Sequence, residues 1–108
     1  MSFNSDLGLV AADGGIALDT RPEHEVAPGT IHFAVLATLG EIAAAQAVGA
    51  AVVPTTVNVS LLARAQPGRL IARGTVLRRG RTLAFAEGEV RQDDRLVAKV
   101  AVTFAILA

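Results

Sequence analysis

The sequence predicts a single α+β domain, residues 1–108, in which one long apolar helix is wrapped by a curved antiparallel sheet of five to six strands. Three observations lead to this prediction. The segment from Val26 to Ala63 contains one charged residue, Glu41, and its first half is rich in Ala and Leu, which favour helix. Beyond it, apolar residues recur at every second position, as in strands. Short Gly- and Pro-containing turns join these segments, which makes neighbouring strands antiparallel.

The predicted helix runs from Ile31 to Val48, with Thr30 as its N-cap and Gly49 as its C-terminal stop. Because this helix is apolar nearly all round, we expect it to be buried. A membrane span is the alternative for a segment of this length. Ala is only weakly hydrophobic, however, and Glu41 near the centre would cost a few kcal/mol in lipid. We therefore do not expect the membrane to be a partner.

Strands are predicted on both sides of the helix. Before it, Leu7–Ala12 and Ile16–Arg21 form a hairpin around an Asp-Gly-Gly turn, and Pro22–Gly29 is a loop. After it, four strands joined by tight turns are expected, with Pro54 at a strand start or on an edge. These strands contain Val57–Leu62, Arg69–Arg78, Leu83–Glu89 and Leu96–Ile106. The last of them has the clearest alternation, which places Val100, Val102 and Phe104 on one face.

The composition excludes several classes of function. Ten basic and ten acidic residues balance, so no long-range field attracts nucleic acid. The absence of cysteine excludes disulfides, thiolate chemistry and zinc fingers. We find no phosphate-binding loop and no Ser-His-Asp arrangement. The N-terminal residues MSFNSDLGLV have neither the basic nor the apolar region of a signal peptide, so we expect a cytoplasmic protein.

Glu41 is the first candidate for a functional residue. A carboxylate in the middle of an apolar helix is costly unless it is paired, neutralised or used in chemistry. It could act as a nucleophile or a general base. The alternative is a structural carboxylate that bonds to the backbone or to Thr38, Thr55 or Thr56.

Three segments of the chain resemble the hotdog-fold thioesterases of the PaaI-like type, which includes phenylacetate-degradation and 4-hydroxybenzoyl-CoA thioesterases. PEHEVAPGTIHFAVLATLGEIAA is similar to the family's motif-and-helix stretch, VNVSLLARAQPG to its next strand, and RRGRTLAFAEGEVRQDDRLVAKVAVTFAIL to its C-terminal strands. This resemblance covers nearly the whole chain. It implies a hotdog fold, an acyl-CoA or similar thioester as substrate, no cofactor, and a homodimer or a homotetramer made of two such dimers.

The resemblance also implies catalytic residues. In this family the helix carboxylate, nine residues after the motif His, attacks the thioester or activates water, and Glu41 stands nine residues after His32. The family's oxyanion donor is the backbone N–H that follows the motif His, which here belongs to Phe33. His32 itself is expected to be a structural residue at the helix start more than a base.

The sequence departs from the family motif at three places. Phe33 and Ala34 replace two glycines beside the expected acyl group. Val26 replaces a polar Asn or Gln that would bond the water or the carbonyl, and Ala45 replaces a Thr found in some members. Two alternative functions follow. One is a non-catalytic acyl- or acyl-CoA-binding protein, and the other is a hotdog dehydratase, for which we see no Asp/His pair.

The remaining candidate residues are polar or basic. The arginine-rich turn around Gly80 is either a solvated turn or a binding site for CoA phosphates, since arginine forks suit phosphate groups. Thr55, Thr56 and Asn58 either line the site or are ordinary strand residues, and His24 and His32 do not form a convincing metal site. The substrate-binding candidates are therefore Val26, Ala34, Thr55, Thr56, Asn58, Arg79, Gly80 and Arg81, and no metal is expected.

If the Glu41 carboxylate and the Phe33 N–H both take part in catalysis, helix geometry predicts a dimer. Phe33 and Glu41 are eight residues apart, which is about 12 Å along one helix. One carbonyl cannot lie about 3 Å from both groups of the same helix. The donor would then come from one subunit and Glu41 from its partner, giving two equivalent sites across a two-fold axis.

Overall fold

The computed structural model describes residues 2–12 and 14–107 and shows one long helix packed against a six-stranded antiparallel sheet. The described elements are α1 Phe3–Leu7, β1 Val10–Ala12, β2 Gly15–Asp19, a 3-10 helix Pro22–His24, β3 Glu25–Ala27, β4 Thr30–Ile31, α2 Phe33–Val48, β5 Val52–Leu61, β6 Arg69–Arg79, β7 Leu83–Gln92 and β8 Arg95–Ile106. The strand order is β1-β2-β6-β7-β8-β5, and α2 packs mainly against β6, β7 and β8. The predicted α+β architecture is confirmed. None of the described helices is long and apolar enough to cross a membrane.

The long helix α2 begins two residues later than predicted. His32, rather than Thr30, is its N-cap, while Gly49 ends it in the left-handed conformation with φ +72°, as expected. Thr30 and Ile31 instead form β4 against β3, and the Ile31 N–H donates to the Ala65 carbonyl at 2.9 Å. These contacts hold the two residues extended, so the prediction of Thr30 as the cap was wrong.

Only one face of α2 is buried within a single chain. Val35, Leu36, Leu39, Gly40, Ala43, Ala44 and Val48 lie against the sheet. The opposite face carries Ala37, Thr38, Glu41 and Ala45, which are all partly exposed. The expectation of a helix buried all round therefore holds for one side of it.

Glycines bring α2 into direct contact with the backbone of the sheet. A Cβ atom on Gly88 of β7 would overlap the Gly40 carbonyl oxygen of α2, and one on Gly74 of β6 would overlap the Ala43 carbonyl oxygen. Gly40 in turn faces the Val100 side chain so closely that a Cβ there would overlap it. No larger residue fits at these positions without moving the helix.

The C-terminal strand follows its predicted alternation. Ala98, Val100, Val102 and Phe104 are 4% exposed or less. Phe104 and Val100 pack with Ala44 and Val48 of α2. A period of two places these residues on the face that the helix covers, so the predicted alternation is confirmed from Ala98 to Phe104. Val97, which was predicted on the other face, is fully buried as well.

The predicted neighbour relation between the first two strands after the helix was wrong. β5 pairs with β8 over most of its length, from Val52 opposite Ile106 to Leu61 opposite Ala98. It is an edge strand, which agrees with the predicted edge position of Pro54. Residues 62–68 cross from β5 past β8 and β7 to β6, a distance of about 14 Å at three strand spacings.

The N-terminal segment differs from its prediction in two ways. Leu7 ends the short helix α1 rather than starting a strand, and the hairpin is limited to Val10–Ala12 and Gly15–Asp19. Asp13 of the predicted turn lies outside the described residues. The predicted loop 22–29 contains a 3-10 turn at Pro22–His24 and the strand β3.

Candidate active site

The segment before α2 is fixed by hydrogen bonds that set where the helix starts. His24 is 4% exposed, and its Nδ1 accepts the Arg21 backbone N–H at 3.0 Å. The His24 carbonyl accepts the His32 N–H at 2.9 Å. The Gly29 N–H donates to Glu25 Oε1 at 2.8 Å, which closes the turn between β3 and β4. The first turn of α2, which begins at Phe33, is therefore positioned by residues as far back as Arg21, twelve places before it.

The backbone N–H of Phe33 has no hydrogen-bond acceptor in the part of the chain that the structure describes. Its neighbours differ, because the Ala34 N–H donates to His32 Nδ1 and the Val35 N–H to the His32 carbonyl, both at 3.0 Å. The first N–H groups of a helix lack intrahelical acceptors and carry its positive dipole end. The Phe33 N–H is thus available to bind a negatively charged oxygen.

His32 serves as the cap of α2. Since its Nδ1 accepts the Ala34 N–H, a neutral ring carries its proton on Nε2, which cannot then act as a base. Its ring lies against that of Phe33, with centroids 4.7 Å apart. This geometry favours a positioning role.

An apolar cavity of about 340 Å³ opens beside the first turn of α2. Its walls are formed by Thr30, Ile31, Phe33, Leu36 and the segment Leu61–Ala65. The Phe33 side chain is 57% exposed. Sequence reasoning did not place Leu61–Ala65 in a site. The feature of the sequence that could have indicated this segment is the pair Leu61 and Leu62, where the alternation of β5 ends in two adjacent leucines. Both leucines are exposed in the structure.

Glu41 lies on the open face of α2, and partial burial raises the pKa of its carboxyl above the ordinary value of 4.5. Within residues 2–12 and 14–107 this carboxylate has no hydrogen bond or ion pair. The Thr38 hydroxyl donates instead to the Ala34 carbonyl at 2.8 Å, and the Thr55 hydroxyl to the Thr103 carbonyl at 3.1 Å. The described part of the chain therefore contains none of the hydrogen bonds that a structural role for Glu41 would need.

The other substrate-binding candidates near the helix start do not meet in one chain. Val26 is 59% exposed on β3, beside a separate depression formed with Pro22, Glu25, Ala27 and Pro28. Thr55, Thr56 and Asn58 are exposed along the edge strand β5. Ala34 is exposed in the first turn of α2, next to Phe33. The described lining of the apolar cavity includes none of these five residues.

The arginine turn lies at the opposite end of α2. Arg79 Nη1 donates to the Val48 carbonyl at 2.6 Å, so Arg79 caps the C-terminus of the helix. The Gly80 N–H donates to the Leu83 carbonyl at 2.8 Å within the turn, and Arg81 is exposed. The 16-residue helix separates this turn from Phe33 by about 24 Å. A single chain does not bring the two together.

Arg79 and Arg81 of this turn are expected to differ in function. If Arg81 binds a CoA phosphate, Arg81→Ala should raise the KM for an acyl-CoA by about tenfold and leave that for a short thioester without a nucleotide unchanged, because a charged hydrogen bond would be lost. High salt should weaken the effect. Arg79→Ala should instead lower the free energy of unfolding by about 1 kcal/mol through loss of the helix cap. Equal KM changes for both substrates on replacing Arg81 would contradict its assignment to phosphate.

No group of three or more His, Cys, Asp or Glu side chains in the described segments is arranged to hold a metal ion. Neither histidine forms a hydrogen bond or ion pair with an Asp among these residues.

The sequence from Pro22 to Ala105 matches the family model of the acyl-CoA thioesterase N-terminal domain. The chain belongs to this thioesterase family. The matched range includes the PEH segment, α2 and strands β5 to β8. The resemblance to hotdog thioesterases predicted from the motif is confirmed.

Solved structures show the same fold. A proposed thioesterase related to phenylacetic acid degradation from Ralstonia eutropha JMP134 is 28% identical, covers 95% of this chain and 88% of its own, and superimposes with a TM-score of 0.84. A proposed esterase from Mycobacterium tuberculosis is 26% identical over 97% of this chain and 95% of its own, with a TM-score of 0.84. A Bacillus halodurans protein solved with CoA is 21% identical, and the match covers 96% of this chain and 74% of that protein, with a TM-score of 0.87. A comparison with proteins of curated function gave no match.

Proposed function

We propose that this thioesterase-family chain hydrolyses acyl-CoA thioesters, with Glu41 as nucleophile or general base and the Phe33 N–H as oxyanion donor. One observation carries the proposal. The Phe33 N–H has no acceptor in the described chain and lies at the start of α2, beside an apolar cavity. The CoA in the Bacillus halodurans structure supports CoA as the thiol component.

The proposed chemistry has two variants. As a base, the Glu41 carboxylate takes a proton from water while the water oxygen bonds to the carbonyl carbon. The oxyanion is held by the Phe33 N–H, the C–S bond then breaks, and the CoA thiolate takes the proton from Glu41, which returns to the carboxylate form. As a nucleophile, Glu41 bonds to the carbonyl carbon and expels the thiolate, and water cleaves the resulting anhydride. Both variants need an ionised Glu41.

The active unit in this proposal is a homodimer, since about 12 Å of helix separates Phe33 from Glu41. Small residues flank Glu41 on the open face of α2, which would allow a second copy to approach closely. The edge strand β5 is also unpaired on one side and exposes Val53, Val57 and Leu61. Covering this apolar edge favours association. A homotetramer would be a pair of such dimers.

Subunit complementation tests both the residues and the dimer. Phe33→Pro removes the N–H while preserving the helix, because proline is favoured at the first helical position and no hydrogen bond is lost. His32 already has φ −63° and ψ 138°, the extended conformation that a following proline requires. Phe33→Leu, which keeps the N–H, is the matched control for loss of the ring.

Homodimers of Glu41→Ala and of Phe33→Pro are each expected to be inactive. Co-expression should restore about a quarter of the wild-type rate of free-thiol release, since half of randomly mixed dimers are heterodimers with one intact site. Failure of complementation between folded variants would show that the two groups do not act across subunits. A monomer by light scattering at micromolar concentration would refute the proposed site.

The alternative function is a non-catalytic acyl-CoA-binding protein. It is favoured by the exposed, apolar Val26 on β3, which can neither bond water nor polarise a carbonyl. This alternative predicts saturable binding of acyl-CoA without thiol release, which a panel of acyl-CoAs separates from hydrolysis.

A further inference from the structure

The apolar cavity beside Phe33 has one charged residue in its wall, Arg64. The residue is exposed, and its guanidinium has no hydrogen bond or ion pair in the part of the chain described here. The cavity wall contains one uncharged polar residue, Thr30. The remaining wall residues are apolar: Ile31, Phe33, Leu36, Leu61, Leu62, Ala63 and Ala65. A substrate group in this cavity meets apolar surface and one cation.

Hydrogen bonds fix the backbone around Arg64. Its carbonyl accepts Arg95 Nη2 at 2.8 Å. The preceding N–H, that of Ala63, donates to the Val97 carbonyl at 3.2 Å, and the following carbonyl, that of Ala65, accepts the Ile31 N–H at 2.9 Å. The base of the side chain is therefore held at a fixed position relative to the start of α2.

The lengths of the two arms of the substrate favour one kind of anion for Arg64. A cavity of 340 Å³ is about 9 Å across if taken as a sphere. In CoA, roughly 13 bonds separate the sulfur from the first phosphorus, about 15 Å when extended at 3.5 Å for every three bonds. With the thioester carbonyl at the Phe33 N–H, an extended CoA arm places its phosphates outside the cavity. An acyl group of roughly five or six carbons extends only about 6 Å, so its far end stays within the cavity whose wall includes Arg64.

We propose that Arg64 determines acyl specificity by binding a terminal carboxylate, so that the preferred substrates are half-thioesters of short dicarboxylic acids. The inference rests on the proposed function and adds the class of acyl group to it. A guanidinium binds a carboxylate through two parallel hydrogen bonds, and apolar surroundings strengthen the pair. Leu36, Leu61 and the Phe33 ring would contact the methylene groups between the two ends.

The test compares glutaryl-CoA with pentanoyl-CoA, which have the same chain length and differ in the terminal carboxylate. Wild-type kcat/KM should be higher for glutaryl-CoA. Arg64→Gln should lower kcat/KM for glutaryl-CoA by about 10- to 100-fold, as expected for a lost charge-assisted hydrogen bond, and leave that for pentanoyl-CoA within about twofold. Arg64→Lys should restore only part of the loss, because lysine lacks the fork. Arg69→Gln, at an exposed arginine paired with Asp19, is the matched control.

Two further measurements separate the possible outcomes. Equal losses for both CoA esters, absent with the corresponding N-acetylcysteamine thioesters, would show that Arg64 binds CoA phosphates and would overturn the inference. No loss for any substrate would overturn it as well. Binding of both CoA esters to the Glu41→Gln variant, by calorimetry, tests the inference even if the protein hydrolyses neither. A preference for the glutaryl ester that Arg64→Gln abolishes would support it, and equal affinities would overturn it.

Discussion

Glu41→Gln is expected to lower the rate of thioester hydrolysis by about 10²- to 10⁴-fold, the range for loss of a general base. The amide keeps the size of the side chain but can neither accept a proton nor attack the carbonyl carbon. Free-thiol release measured with saturating acyl-CoA reports the change. Glu23→Gln is the matched control, because the same substitution falls on an exposed residue of the 3-10 turn. A folded Glu41→Gln protein with wild-type activity would show that Glu41 is not the catalytic carboxylate.

The pKa of Glu41 adds a pH signature to this prediction. Burial raises the pKa of its carboxyl above 4.5, so the acid limb of the wild-type kcat profile should lie above that value. A raised folded-state pKa favours the folded protein at low pH, and this contribution is lost as the pH rises through it. Glu41→Gln should therefore raise the melting temperature at pH 7 more than at pH 4. An equal change at both pH values would contradict the desolvation of Glu41.

Gly88→Ala is expected to lower the free energy of unfolding by about 3 kcal/mol or more, a large part of the stability of a small domain. The added methyl group would overlap the Gly40 carbonyl oxygen, which belongs to the backbone and cannot rotate away. Either α2 lifts from the sheet or β7 bends, and both changes open the core. Denaturant unfolding followed by circular dichroism measures the loss.

Gly80→Ala provides the control for this substitution. Its Cβ would lie 3.3 Å from the Leu83 carbonyl oxygen in an exposed turn, so a much smaller loss is expected. Equal stabilities of the wild type and Gly88→Ala would show that α2 does not rest directly on the backbone of β7.

Local patterns predicted the parts of the fold that depend on local residues. Alternation in β8 identified Val100, Val102 and Phe104 as core residues, because a strand exposes alternate residues to opposite faces. The tight turn expected between β5 and β6 suggested that these two strands are neighbours. The actual partner of β5 is β8, and this choice depends on pairing between distant residues, from Val52 opposite Ile106 to Leu61 opposite Ala98, which no local pattern records.

In the candidate site, too, the sequence predicted features that depend on local residues and missed those that depend on distant ones. Motif spacing identified Glu41 and the Phe33 N–H, whose positions depend on one helix. The sequence offered Arg79 as either a solvated turn residue or a phosphate ligand, and did not predict that it caps α2 through Val48, a residue 31 positions away. It also missed Arg64, which shares a cavity with Phe33 only because residues 62–65 hydrogen-bond to Val97 and Ile31.

The contact between Gly40 and Gly88 also has a consequence for the precision of the proposed chemistry. Glu41 is the residue next to Gly40, whose main-chain atoms lie directly against the backbone of Gly88 in β7. Side chains can change rotamer and relax, but two backbones in contact leave no such freedom. Reacting groups work well only when they are held to within about 0.5 Å of the productive geometry. The contact of Gly40 with β7 therefore fixes the position of the Glu41 backbone. Core substitutions that leave this contact intact should not change the alignment of the carboxylate.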